Sequence, residues 1–216
     1  NVTSLDGIRF AVEELNRSGG ILGRRIELIE FDNNSSAILS KQAARKAVEA
    51  GVVAVFGAVY SNHSLAMAPV LQEAGVVMIS PTSTHPDVTR IGNYIFRTCY
   101  TDAFQGEIAA DFVLNNIKAE TAAVLINATL RYSEGLAQSF IRRFSEKGGG
   151  IVYTENYLDK TLDFSDLIDQ IRIRRPAVIF LPGYAKDSSI IIKQARMRGI
   201  LIPFVGGDGW NVSMYD

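Results

Sequence analysis

Along this chain the apolar residues keep switching between a three-to-four-residue spacing and short continuous runs. That alternation restricts the fold to helices separated by strands. Ile8, Ala11, Val12 and Leu15 sit at helical spacing, and Gly19-Gly20 supplies a stop. Residues 26–31 read as a short apolar strand. Ser35 and Ser36 offer caps for a helix carrying Ala43, Ala44, Ala47 and Val48, which stops at Gly51. Residues 52–56 form a continuous apolar run of the kind a parallel strand covered on both faces requires. The next helix spans about 62–74 and contains Pro69, which predicts a kink or a shift. A strand at 76–80 leads into a long irregular loop at 81–93, followed by a strand at 94–98. The alternation then resumes, with helices at 132–147, 165–174 and 187–198 between strands at 122–127, 151–157, 177–181 and 203–206. Asp102 offers a cap for the helix that opens this second half.

A repeated strand–helix unit predicts an α/β fold of parallel sheets with helices on both faces. The break at 98–102 divides it into two doubly wound lobes, residues 1–100 and 101–216, with a cleft between them. A single closed barrel needs eight strand–helix units in one ring, and the mid-chain loop opposes it. The first element is a helix with no strand before it, whereas the first strand of an open sheet is usually central. The chain also ends just after a strand and a glycine-rich turn. The expectation is a polypeptide incomplete at both ends.

Composition excludes several function classes. Lys plus Arg number 22 against 23 Asp plus Glu, so the net charge of -1 gives no basic face of the size nucleic acid requires. One cysteine, Cys99, precludes an internal disulfide and any multi-cysteine metal centre. The two histidines, His63 and His85, read as surface or capping residues. No nucleophile elbow, phosphate loop or dinucleotide turn is present. No metal site, cofactor or catalytic activity is expected.

Ligands of open α/β sheets bind beyond the carboxyl ends of the strands. That rule selects residues 57–61, 80–84, 127–132, 182–184 and 206–210, a mixture of small residues, hydroxyls, tyrosines and one carboxylate suited to a small polar ligand. Ser61 opens a helix and reads as a cap, as an anion contact beside free helix N–H groups, or as both. Thr82, Ser83 and Thr84 follow Pro81; they are turn formers, or groups able to hold the charged ends of a zwitterion. Tyr132 and Tyr184 are either core or cleft lining. Asp208, among Gly206, Gly207 and Gly209, is a turn aspartate or the partner of a ligand ammonium, with Trp210 beside it as a flat wall.

At these segments the chain resembles the type I periplasmic binding proteins, in particular the branched-chain amino-acid (Leu/Ile/Val)-binding family of ABC transporters. The likeness is carried by DGIRFAVEELNRSGGILGRRIELIEFDNNSS, by VVAVFGAVYSNHSLAMAPVLQEAGVVMISPTSTHPDVT, by IFRTCYTDAFQG and by the second-half stretches RYSEGLAQSF and DFSDLIDQIRIRRPAVIFLPGYAKDSSIIIKQARMRGI. It implies capture of an amino acid or similar small molecule by hinge closure, delivery to a membrane permease, and a periplasmic or otherwise extracytoplasmic location, with or without a lipid anchor. It also implies roles: Ser61 at the ligand carboxylate, Thr82 through its carbonyl, Thr84 through amide and hydroxyl, Tyr132 and Tyr184 from the second half, and Asp208 at the ammonium. The branched-chain binders carry a Glu where Asp208 stands, and the shorter side chain departs from their pattern. A sensory or regulatory ligand domain of the same fold is the alternative function, with an α/β enzyme behind it.

Overall fold

The computed structural model describes residues 2–210. They form two compact units: residues 2–83 with 87–99, and residues 84–86 with 100–210. The short piece Thr84–Pro86 therefore packs with the second unit, although the chain on both sides of it belongs to the first.

The first unit contains α1 (Val2–Arg17), α2 (Ala37–Glu49), β1 (Ala54–Phe56), α3 (Ser61–Glu73), β2 (Val77–Ser80), α4 (Asp87–Arg90) and β3 (Ile95–Arg97). Its strands make one parallel sheet in the order β1-β2-β3. Ser36 caps α2 by accepting the Leu39 N–H at 3.4 Å. Met78 and Ile95 turn to the face where Ala44, Ala68 and Leu71 complete a small core. On the opposite face the cross-strand row Phe56, Ile79 and Phe96 is in register, and its two phenylalanines are 58% and 48% exposed. The two-faced cover expected from the apolar run at 52–56 is thus found on one face only among the described residues.

Two further expectations are corrected in this unit. Residues 26–31 join no ladder. The polar backbone of Ile26 is satisfied by the Asn16 side chain instead, at 2.7 and 2.9 Å, while Arg9 grips Glu30 with two bonds of 2.7 Å. Side chains of α1 thus hold this segment in place of a neighbouring strand. The loop at 81–93 is not wholly irregular, because α4 forms within it. Pro69 lies within α3, which runs from Ser61 to Glu73.

The second unit contains α5 (Asp102–Phe112), a π-helical turn (Val113–Ile117), β4 (Thr121–Asn127), α6 (Arg131–Glu146), β5 (Gly150–Tyr157), α7 (Ser165–Arg174), β6 (Val178–Phe180), α8 (Ala185–Met197) and β7 (Phe204–Val205). The parallel order is β5-β4-β6-β7. Successive strand residues point to opposite faces, and the core divides accordingly. Ala122, Val124, Val178 and Phe180 pack under Leu136, Phe140 and Phe144 of α6. Ala123, Leu125 and Ile179 pack under Ile168 and Ile171 of α7 and Ile191 of α8. This sheet is covered on both faces, as its continuous apolar strands predict. Burying one leucine- or phenylalanine-sized side chain stabilises by about 1.5–3 kcal/mol, so the sheet forms a rigid base for the loops at its carboxyl edge. Thr101, not Asp102, caps α5, accepting the Phe104 N–H at 3.4 Å.

Candidate functional site

In the first unit, the segments after β1 and β2 meet in a cluster of hydroxyls. The Ala58 carbonyl accepts from Ser80 Oγ at 2.6 Å, Ser83 Oγ at 3.0 Å and Ser64 Oγ at 3.2 Å. Ser64 and Ser83 share a further bond of 2.7 Å, and Thr82 Oγ1 donates to the Val59 carbonyl at 2.9 Å. Arg97 at the end of β3 donates to the Ser83 carbonyl at 2.9 Å. Ser83 is fully buried and its hydroxyl is engaged inside the unit, so it holds the loop in shape. Thr82 is exposed beside it. Ser61 is buried at the first position of α3; the cap position belongs to Tyr60, which makes no side-chain capping bond, so the capping assignment of Ser61 is corrected.

Neither histidine is a surface residue. His63 is 9% exposed, lies 3.4 Å from Asn33 Nδ2 and meets the Tyr60 ring edge-on. Burial pushes its pKa below the ordinary imidazole value. His85 is 7% exposed and packs in the second unit, where a Cβ on Gly135 of α6 would lie 3.0 Å from its ring and 3.4 Å from Asp102. A side chain at 135 would press the His85 ring aside by a few tenths of an ångström.

The second unit gathers Tyr132, Tyr184 and Asp208 at one place. Tyr132, in the first turn of α6, is 2% exposed and stacks on Tyr184 with ring centres 5.1 Å apart and planes 8° apart. Its hydroxyl donates to Asp208 Oδ1 at 2.9 Å and accepts the Gly209 N–H at 2.9 Å. Three glycines let the loop after β7 approach this closely. A Cβ on Gly207 would stand 2.6 Å from the Tyr132 hydroxyl and from Leu136 Cδ2; one on Gly209 would stand 2.7 Å from the Gly183 carbonyl. Gly206 lies under the Trp210 ring, with a Cβ position only 2.2 Å from it, and Trp210 donates to Ser188 Oγ at 3.1 Å. Beneath the loop, Asp187 accepts from Tyr157 at 2.6 Å and from Asn127 at 3.0 Å, tying the ends of β4 and β5 to the start of α8.

Asp208 has a partner that sequence reasoning missed. Gln105 of α5, with its amide assigned the way round that faces donors to acceptors, donates to Asp208 Oδ1 at 3.0 Å and accepts the Asp208 N–H at 2.8 Å. An isolated glutamine on a helix carries no sequence signal of such a role. Asp208 is itself exposed, yet the surrounding protein displaces enough water from its carboxylate to raise the pKa. The bonds from Tyr132 and Gln105 act the other way and favour the ionised form. Desolvation by burial, reinforced by the Asp208 charge, holds the Tyr132 phenol well above its usual range, so Tyr132 remains a donor.

Thr84 adds a different signal. It is 1% exposed, its carbonyl accepts the Asp102 N–H at 3.0 Å, and its Oγ1 is buried without a hydrogen-bond partner among the described residues. An unmatched buried hydroxyl costs about 1–3 kcal/mol, and functional sites are where such groups persist. Among the described residues no group of three or more His, Cys, Asp and Glu could hold a metal ion, and no helix is long and apolar enough to cross a membrane.

The architecture recurs in known proteins. Residues 1–214 match the family described as "Periplasmic binding protein". The chain is 33% identical over 205 residues to the Leu/Ile/Val-binding protein BraC3 of Rhizobium johnstonii, covering 94% of this chain and 56% of that protein. Among solved structures, a leucine-binding protein LivK of Thermotoga maritima superposes with a TM-score of 0.87 at 33% identity, covering 92% of this chain and 57% of that one. The substrate-binding protein LivJ of Streptococcus pneumoniae, solved in complex with isoleucine, gives 0.87 at 32% identity, with 93% and 57% covered. The chain thus spans a little over half the length of the relatives it matches. With parallel α/β sheets and a family match across nearly its whole length, this chain belongs to the periplasmic binding protein family.

Proposed function

We propose that this chain is the larger part of an extracytoplasmic solute-binding protein that captures an amino acid for an ABC transporter. Residues 1–100 and 101–216 would serve as its two lobes, closing about a hinge onto the ligand. A branched-chain amino acid is the best-supported ligand class, because the relatives are named for leucine, isoleucine and valine and one was solved with isoleucine. The observation that carries the reading is Asp208. It is a carboxylate fixed by Tyr132 and Gln105 on a loop of glycines, with one face open to solvent. That is what a primary ammonium needs.

In this reading Ser61 and the Thr84 amide and hydroxyl receive the ligand carboxylate, and the Thr82 carbonyl accepts from the ammonium. Ser83 keeps that loop in place. Tyr132, Tyr184 and Asp208 complete the shell and exclude water, which strengthens each charge-assisted bond. Chemistry on the ligand plays no part. The closed form is what a permease would recognise.

A thermal-shift screen of the intact protein against the amino acids and their deaminated analogues tests the proposal. A ligand at a hundred times its Kd stabilises the folded state by about 2.7 kcal/mol. Branched-chain amino acids are expected to raise Tm, and the deaminated acids to do so far less. Stabilisation by no amino acid would reject the reading.

A further inference from the structure

Among the described residues Asp208 has two side-chain donors, and both meet the same oxygen. Tyr132 Oη lies 2.9 Å from Oδ1, and the Gln105 amide nitrogen lies 3.0 Å from it. The Gln105 carbonyl also takes the Asp208 N–H at 2.8 Å. One glutamine therefore grips both the side chain and the backbone of one aspartate, a two-point contact that fixes the carboxylate plane as well as its position.

The sequence around Gln105 is built for that contact. Gly106 follows it on α5, where a Cβ would lie 2.6 Å from Ser139 Cβ and 2.8 Å from the Phe140 nitrogen. The absent side chain allows α5 to lie directly against α6 and carries Gln105 to the loop. From the other side Gly207 allows the loop to come down; its Cβ would lie 3.0 Å from the Gln105 amide.

We propose that Gln105 is a positioning residue for ligand recognition: with Tyr132 it holds Oδ1 of Asp208, so that Oδ2 is the oxygen presented to a ligand ammonium. The inference rests on the reading of Asp208 as the ammonium partner. It explains how a carboxylate one methylene shorter than glutamate performs that role. The shorter side chain has less freedom to find the ammonium, and a second donor fixes the oxygen that meets it.

The test uses the intact protein and two probes, L-leucine and 4-methylpentanoate, its deaminated analogue, measured by calorimetry from neutral pH down into the carboxylate range. Gln105→Met keeps the length and bulk of the side chain and removes both hydrogen bonds. Leucine affinity is expected to fall about tenfold, the order of one hydrogen bond to a charged group. Affinity for 4-methylpentanoate is expected to stay the same. The acid-side loss of leucine affinity should move to higher pH, because a donor that favours ionised Asp208 is gone, while Tyr132 on α6, Tyr184 ahead of α8 and Asp102 at the start of α5 are untouched. Gln105→Asn, too short to span both contacts, should show the same pattern and stands in if the methionine variant fails to fold.

Equal weakening of both probes, with an unmoved pH profile, would assign Gln105 a purely structural role and overturn the proposal. Asp208→Asn, run in parallel, separates this from the functional reading. If it abolishes leucine binding while Gln105→Met keeps full preference for leucine, only the positioning role falls. If leucine binds equally well to Asp208→Asn, or not at all to the unmodified protein, the reading of Asp208 falls and the proposal falls with it.

Discussion

Tyr132→Phe removes one oxygen from the centre of the second unit and leaves the rest in place. The ring is 2% exposed and stacked on Tyr184, so a phenyl group keeps both the burial and the stack. What disappears is the pair of 2.9 Å bonds, one donated to Asp208 Oδ1 and one accepted from Gly209. A hydrogen bond to a charged group contributes about 1.5–3 kcal/mol. Asp208 is exposed and keeps Gln105, so water replaces part of the loss and the lower end applies: about 1.5 kcal/mol. At about 2–4 °C per kcal/mol for a chain of this size, Tm should drop about 3–6 °C. In urea the midpoint should fall with an unchanged slope, since the surface exposed on unfolding is the same. L-leucine affinity should fall about tenfold, because a carboxylate released from one of its donors is less ordered when the ammonium arrives. An unchanged Tm together with unchanged leucine affinity would refute the argument that this hydroxyl holds the loop.

Thr84→Val replaces the buried, unpartnered hydroxyl with a methyl of the same shape; the ligand-free protein should gain stability or stay level, while leucine affinity falls, and a loss of stability without ligand would show that the hydroxyl serves the fold. Leucine affinity should weaken on acidification before an ordinary aspartate would protonate, because the pKa of Asp208 is raised and the ammonium needs the ionised form; calorimetry showing the decline only at or below the usual carboxylate value contradicts this. The pKa of His63 is lowered from 6.5, so the native state resists its protonation more than the unfolded chain does. Stability should therefore decline as pH falls from 6.5 towards the lower native value and level off below it; His63→Gln should flatten that part of the denaturation profile, and an unaltered profile counts against burial as the cause. Gly207→Ala forces a methyl to within 2.6 Å of the Tyr132 hydroxyl and should cost about 1–3 kcal/mol in thermal unfolding; wild-type stability would show that the loop yields freely.

The parts of the fold that sequence made legible are those whose signal is local. Residues 122–127 and 177–181 read as strands because a doubly covered parallel strand must be apolar at every position, and Val124 and Leu125 do enter opposite cores. Residues 26–31 are apolar at four positions, broken by Glu27 and Glu30, and form no strand. A strand exists only where a ladder partner lies alongside, and here Asn16 and Arg9 of α1 take that place. Ser61 read as a cap because serine opens many helices, but its burial puts it one position inside α3. Tyr132, Tyr184 and Asp208 emerged from the rule that ligands meet strand ends, and they do converge within the second unit. Gln105 did not emerge, since its role depends on the packing of α5 against α6 through Gly106, a tertiary fact with no periodicity behind it.

The most direct trial of the account is a calorimetric comparison of L-leucine and 4-methylpentanoate on the intact protein and on Asp208→Asn. The unmodified protein should strongly prefer the amine-bearing ligand, and the variant, which keeps the shape but loses the charge, should erase the preference. Equal affinity for the two ligands before substitution, or a preference that survives it, would contradict the claim that Asp208 is the group this protein uses to recognise what it carries.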